Sequence, residues 1–162
     1  YILSDIIKKM IFTAHLLTGA AMAARTQNHL LGLFFTFLSH YVLDMLPHKE
    51  YISFPVNPLK EKLKFSFTKI ILITVDITAG VALLYFLSEN KLLALTGGLL
   101  AALPDADNIT GIFPKLQRIK LIKMHYQLHD RLHFLSVKKN PFFWKIFSQI
   151  MVIIIAIFFL PR

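Results

Sequence analysis

The sequence predicts an all-α integral membrane protein: a helical bundle of about five transmembrane helices with a cytoplasmic interfacial helix. Three observations carry this expectation. Apolar residues make up 56% of the 162-residue chain, with 15 phenylalanines, against about 45–50% in an average soluble protein. Charged residues contribute only 17%. The apolar positions also come in blocks instead of amphipathic stripes. One block, "FFWKIFSQIMVIIIAIFFL", approaches the roughly 20 residues that cross a hydrocarbon core of about 30 Å.

The elements follow in order. Residues 1–9 form a short basic lead-in. A first span over 10–24 ends in "TGAAMAA", small residues that suit close helix–helix approach. No signal peptide is recognisable, because the polar "TAH" falls where a signal would be apolar. Asn28 marks a tight turn before a second span over 29–46. The loop 47–67 contains Pro47, Pro55 and Pro58 and cannot be one continuous helix. A third span covers 68–88, and "SEN" turns the chain into a fourth over 92–112, which is interrupted by "PDADN". Residues 115–135 mix Leu, Ile and Met with Lys and Arg at helical spacing, as interfacial helices do. A fifth span covers 142–160. No internal repeat divides the chain, so residues 1–162 read as a single transmembrane domain.

The charge distribution orients this bundle. Net charge is +9. With a cytoplasmic N-terminus and five alternating spans, 15 of the 18 Lys and Arg residues fall on the cytoplasmic side. Only Arg25, Lys91 and Arg162 fall on the far side, the asymmetry that the positive-inside rule describes. The expected setting is a bacterial inner (plasma) membrane, with anionic lipid headgroups as partners of the basic loops. Nucleic acid is not an expected partner, since no base-reading module is visible. The absence of cysteine removes disulfides and thiolate metal sites.

Against this apolar background the ionisable residues stand out. In "FLSHYVLDMLPH", His40, Asp44 and His48 recur every fourth position and share a helix face. His15 lies about six residues from the cytoplasmic end of its span, roughly 9 Å deep, and Asp76 about eight residues, roughly 12 Å. His40 sits at a depth like that of His15, and Asp44 nearly at the surface. Asp105 and Asp107 fall at the cytoplasmic end of span four, and His125, His129 and His133 follow in the basic segment. An unpaired acid inside a membrane costs a few kcal/mol, so a cluster drawn from several spans solves the problem for all members together. Imidazole and carboxylate without sulfur suit Zn, Mn or Fe. Plainer readings exist for some of these residues. The three histidines of "HYQLHDRLH" also fit the wet face of an interfacial helix, His48 a headgroup contact, Asp107 a turn, and His29 the opposite water interface.

At these residues the sequence resembles the YdjM-type inner-membrane proteins, which are described as metal-dependent hydrolases. "TAHLLTG" has His15 and Gly19 in the family's Thr-His-x-x-x-Gly pattern. "SHYVLD" matches its His-x-x-x-Asp span at His40 and Asp44, and "LPDADN" its Pro-Asp-x-Asp turn at Asp105 and Asp107. "HDRLH" is similar to its histidine pair. Asn108 stands where the family has histidine, and the His-x-x-x-Asp span precedes the turn instead of following it.

The resulting expectation is a membrane-embedded, metal-dependent hydrolase acting on a phosphoester of a lipid or lipid-linked substrate. His15, His40, Asp44, Asp105, His129 and His133 form the pool of metal ligands. Asp76 and Asp105 are the expected catalytic residues, with Asp76 as orienter or general base. A proton- or metal-ion-translocating protein is the main alternative, and a scaffold whose buried polar groups only set helix register is a third.

Overall fold

The structure, a computed structural model, describes residues 12–48, 67–108, 113–132 and 142–161, and among these every regular element is helical. The helices are α1 (Phe12–Arg25), α2 (His29–Asp44), α3 (Phe67–Leu87), α4 (Lys91–Ala102), α5 (Lys120–Leu132) and α6 (Phe142–Phe159). Short 3₁₀ turns cover Leu103–Asn108 and Pro114–Arg118.

Local chemistry sets the helix starts. Asn28 accepts the Leu31 amide at 3.2 Å and Asn90 accepts the Leu93 amide at 3.0 Å. Each side chain thereby satisfies one of the amides that a helix N-terminus leaves open. Three-residue connections then fold α1 against α2 and α3 against α4. The fourth apolar block is not one helix. α4 ends at Ala102 and the chain tightens, the Leu103 amide reaching back to the Leu100 carbonyl. Pro104 is the physical reason, since it has no amide to donate and its ring crowds the preceding turn.

α1 is the centre of the bundle and packs against α2, α3, α4 and α6. It can do so because its interface is small. A Cβ added to Gly19 would stand 2.6 Å from the Gly97 carbonyl oxygen, and one on Gly97 would stand 2.7 Å from the Gly19 carbonyl oxygen. Only glycine at both positions lets the two backbones touch. Large apolar side chains point the other way: Leu30 and Val42 on α2, Phe86 on α3, Leu99 on α4 and Phe158 on α6 are exposed. The interior holds alanines, leucines and a set of polar residues that includes Thr13, Thr36, His40, Asp44 and Asp76.

Among the described residues one helix, α3, is long and apolar enough by itself to cross a membrane, and the apolar stretch Phe143–Phe159 of α6 is shorter. Two contacts gather one pole of the bundle: Arg25 Nε donates to the Phe159 carbonyl at 2.8 Å, and the Glu89 amide donates to the Pro161 carbonyl at 3.3 Å. The other pole receives the start of α1, the end of α2, the 103–108 turn and α5.

Candidate metal centre

The centre starts on α2, whose buried face carries Thr36, Ser39, His40, Leu43 and Asp44. This face is fixed from within. Thr36 Oγ1 donates to the Gly19 carbonyl at 3.0 Å, and Ser39 Oγ donates to the Thr36 carbonyl at 2.7 Å. His15 arrives from the first turn of α1, Asp105 from the 3₁₀ turn after α4, and His129 from α5.

His40 Nδ1 lies 2.7 Å from the Ala101 carbonyl oxygen. A carbonyl only accepts, so the ring donates from Nδ1, and in its neutral form it presents a lone pair at Nε2. Carbonyls commonly set the tautomer of metal-ligating histidines in this way. His40 Nε2 stands 2.9 Å from Asp44 Oδ2 and 3.1 Å from His129 Nε2, and His129 Nε2 stands 2.9 Å from the same Oδ2. Three basic atoms therefore form a closed triangle. A single N–H on His129 satisfies one of its edges and leaves His40 Nε2 facing the carboxylate lone pair to lone pair. Either an additional proton or a cation resolves that contact.

Around it lie two further groups. His15 Nε2 is 3.4 Å from Asp44 Oδ1, and its ring stacks on His40 with centroids 4.4 Å apart. Asp105 Oδ1 is 3.9 Å from His40 Nε2 and 3.8 Å from His129 Nε2. Ligand atoms of His40, Asp44 and His129 lie within 4.8 Å of one another, as do those of His15, His40 and Asp105, so these groups could hold a metal ion. The cluster contains two carboxylates, Asp44 and Asp105, and burial is costly for a charge left without compensation.

The structure thus brings together five of the sequence-derived candidates: His15, His40, Asp44, Asp105 and His129. His133 lies outside the described residues, as does the side chain of Asp107. Asp44, expected near the surface, is only 1% exposed. Asp105, at 13%, is the most open of the carboxylates here. His48 is buried, with Nδ1 2.8 Å from the Leu46 carbonyl, and is not the exposed headgroup contact that its basic neighbour suggested. His29 is exposed at the opposite end of α2.

Asp76 does different work from these candidate ligands, and neither group that could hold a metal ion includes it. Its carboxylate accepts the Phe12 amide at 2.9 Å and the Thr13 amide at 3.2 Å, and Thr13 Oγ1 lies 2.6 Å from Oδ1. An acid from α3 therefore closes the N-terminus of α1, two residues before His15.

One neighbour escaped the sequence reading. The Tyr41 hydroxyl lies 2.9 Å from His125 Nε2, and the Tyr41 ring meets His40 and His129 edge-on. No local pattern marks Tyr41, because its partner is 84 positions away. The spacing of His125 and His129 did hold the signal, since four residues apart on α5 they share the face turned to α2. Comparison with known proteins gives no match to a family model, a curated protein or a solved structure.

Proposed function

We propose that the protein is a membrane-embedded, metal-dependent hydrolase whose metal is held by His15, His40, Asp44, Asp105 and His129. The observation that carries this reading is the triangle of His40 Nε2, Asp44 Oδ2 and His129 Nε2, with edges of 2.9, 2.9 and 3.1 Å. Two helices, α2 and α5, turn these three basic atoms onto one point in a buried site, and a cation held there would offset their repulsion. Zn, Mn or Fe fits the donor set. The resemblance to YdjM-type proteins at "TAHLLTG", "SHYVLD" and "LPDADN" points the same way.

Membrane embedding draws support from the inverted surface. Large apolar side chains are exposed on α2, α3, α4 and α6, while histidines, carboxylates, hydroxyls and small residues lie inside. A soluble protein rarely exposes so many large apolar side chains. In this reading α1–α4 and α6 cross the bilayer of a bacterial inner membrane, N-terminus in, with the centre near the cytoplasmic face.

A bound metal supplies a water whose pKa is brought towards neutrality. Asp105, beside the triangle and partly open, would accept a proton from a water held there. In that hydrolysis the water oxygen would bond to phosphorus, the ester P–O bond would break, and the proton would pass to the leaving alcohol. A lipid or lipid-linked ester is the substrate class that the surroundings favour. An open apolar groove of about 430 Å³ runs along α6, lined by Leu46, Pro47, Trp144, Phe147, Met151 and Ile155 among others. Asp76 is a positioning residue that holds the start of the helix bearing His15.

The test is metal content of protein purified without chelator, followed by turnover of a phospholipid and of a generic phosphodiester. Bound metal with turnover supports the hydrolase. Bound metal with no turnover, but metal or proton flux across vesicles, favours translocation. Protein that takes up neither Zn nor Mn is a scaffold.

A further inference from the structure

α5 has three faces with different chemistry. Ile122, His125, Tyr126 and His129 are half-buried or buried and face the bundle. Leu121, Met124 and Leu128 form an exposed apolar stripe, at 76%, 54% and 52%. Lys120, Lys123, Gln127 and Arg131 are exposed on the remaining face. At 100° per residue the apolar stripe falls between the bundle face and the basic face. The preceding turn extends the pattern with exposed Phe113 and Ile119 next to exposed Lys115 and Arg118.

We infer that α5 lies on the surface of an anionic leaflet and that this docking holds His129 at the metal centre. The order of the faces selects the occupant. An apolar stripe directly beside the bundle face meets the acyl boundary where the lipid-facing helices end, and the basic face then lies among headgroups. Lysines and arginines there attract anionic lipid over about a Debye length, so charge and apolar area act on the same side of the helix. Among the described residues α5 packs against the 114–118 turn that precedes it, the 103–108 turn and α2. His129 sits on the third face of the same helix, 2.9 Å from Asp44 Oδ2. Lipid under Leu121, Met124 and Leu128 therefore fixes the position of a metal ligand. The inference rests on the membrane reading given above.

The chain has no cysteine, so a single introduced thiol reports one position. Met124→Cys, Leu128→Cys, Lys123→Cys and Ile77→Cys, the last on an exposed position of α3, are labelled with bimane. The protein is reconstituted in phosphatidylcholine vesicles containing phosphatidylglycerol. The expected result is quenching by lipid-borne nitroxide and loss of iodide quenching at 77, 124 and 128, with the reverse at 123. Nitroxide quenching at 124 and 128 should weaken in phosphatidylcholine alone, and an unchanged signal there overturns the anionic requirement. If 77 is in lipid while 124 and 128 are open to iodide, the inference fails and the membrane reading stands. If 77 is open to iodide, the membrane reading fails and takes the inference with it. Shielding of 124 and 128 from both quenchers assigns the stripe to a protein partner or a second copy, and also overturns the inference.

Discussion

The Asp76 carboxylate on α3 accepts the Thr13 amide at 3.2 Å and lies 2.6 Å from the Thr13 hydroxyl, so an acid from one helix closes the start of another. Because His15 is two positions further along α1, this bond fixes the register in which a candidate ligand is presented. Asp76→Asn should lower stability by about 0.5–2 kcal/mol, the range for lost helix caps, and weaken metal binding only through His15. Thermal unfolding with and without added metal measures both effects. A large fall in kcat with unchanged Tm would instead make Asp76 the general base.

The ligand residues and the other histidines should separate cleanly. His40→Ala, Asp44→Ala and His129→Ala should each weaken metal binding beyond the roughly 10–100-fold typical of outer-shell partners. His29→Ala should retain metal, since it is exposed at the far end of α2. His48→Ala should retain metal but lose stability, because its ring is buried. Metal titration of the five variants is the measurement. Loss of metal in His29→Ala together with full occupancy in Asp44→Ala would place the site elsewhere.

Chelation gives an independent readout of the same centre. A ligand present at about 100 times its Kd stabilises the folded state by about 2.7 kcal/mol. Stripping the metal should therefore lower Tm, and Asp44→Asn should abolish that difference. Asparagine keeps the shape of the side chain but not the charge that a cation needs.

Gly19 and Gly97 should behave as one unit. Gly19→Ala puts a methyl group 2.6 Å from the Gly97 carbonyl oxygen. The helices must then separate, at a cost of about 1–3 kcal/mol, as for other overpacked interfaces. Gly97→Ala should cost a similar amount, and the double variant less than the sum, because the first substitution has already parted the helices. Unfolding in detergent checks this.

Topology can be read with reporters. The turn after α1, the turn after α3 and the end of α6 are tied at one pole. A reporter after Arg162 should be external, and tags within 55–60 and 136–140 cytoplasmic. A cytoplasmic C-terminus would mean that one of the shorter apolar blocks does not span, with α4, 12 residues long, the first suspect.

Local interactions account for what was legible without coordinates. Apolar blocks and the turns at Asn28 and at 88–90 locate the helices, because hydropathy and turn chemistry act over a few residues. His40 and Asp44 share a face because four residues make one turn, and His125 and His129 do so for the same reason. The sequence alone thus determined an all-helical chain that carries pairs of ionisable groups on its helix faces. Tertiary packing decided the rest. The His129–Asp44 contact spans 85 positions, the His40–Ala101 bond 61 and the Asp76–Thr13 bond 63, and no pattern along the chain encodes which faces meet. The same packing buried His48 and Asp44, which looked superficial by position, and gave Asp76 a helix end to close. A buried ionisable group must find a partner wherever the fold supplies one. Its residue type is written in the sequence, but its role is set by the neighbour that the close approach of helices such as α1 and α4 brings within reach.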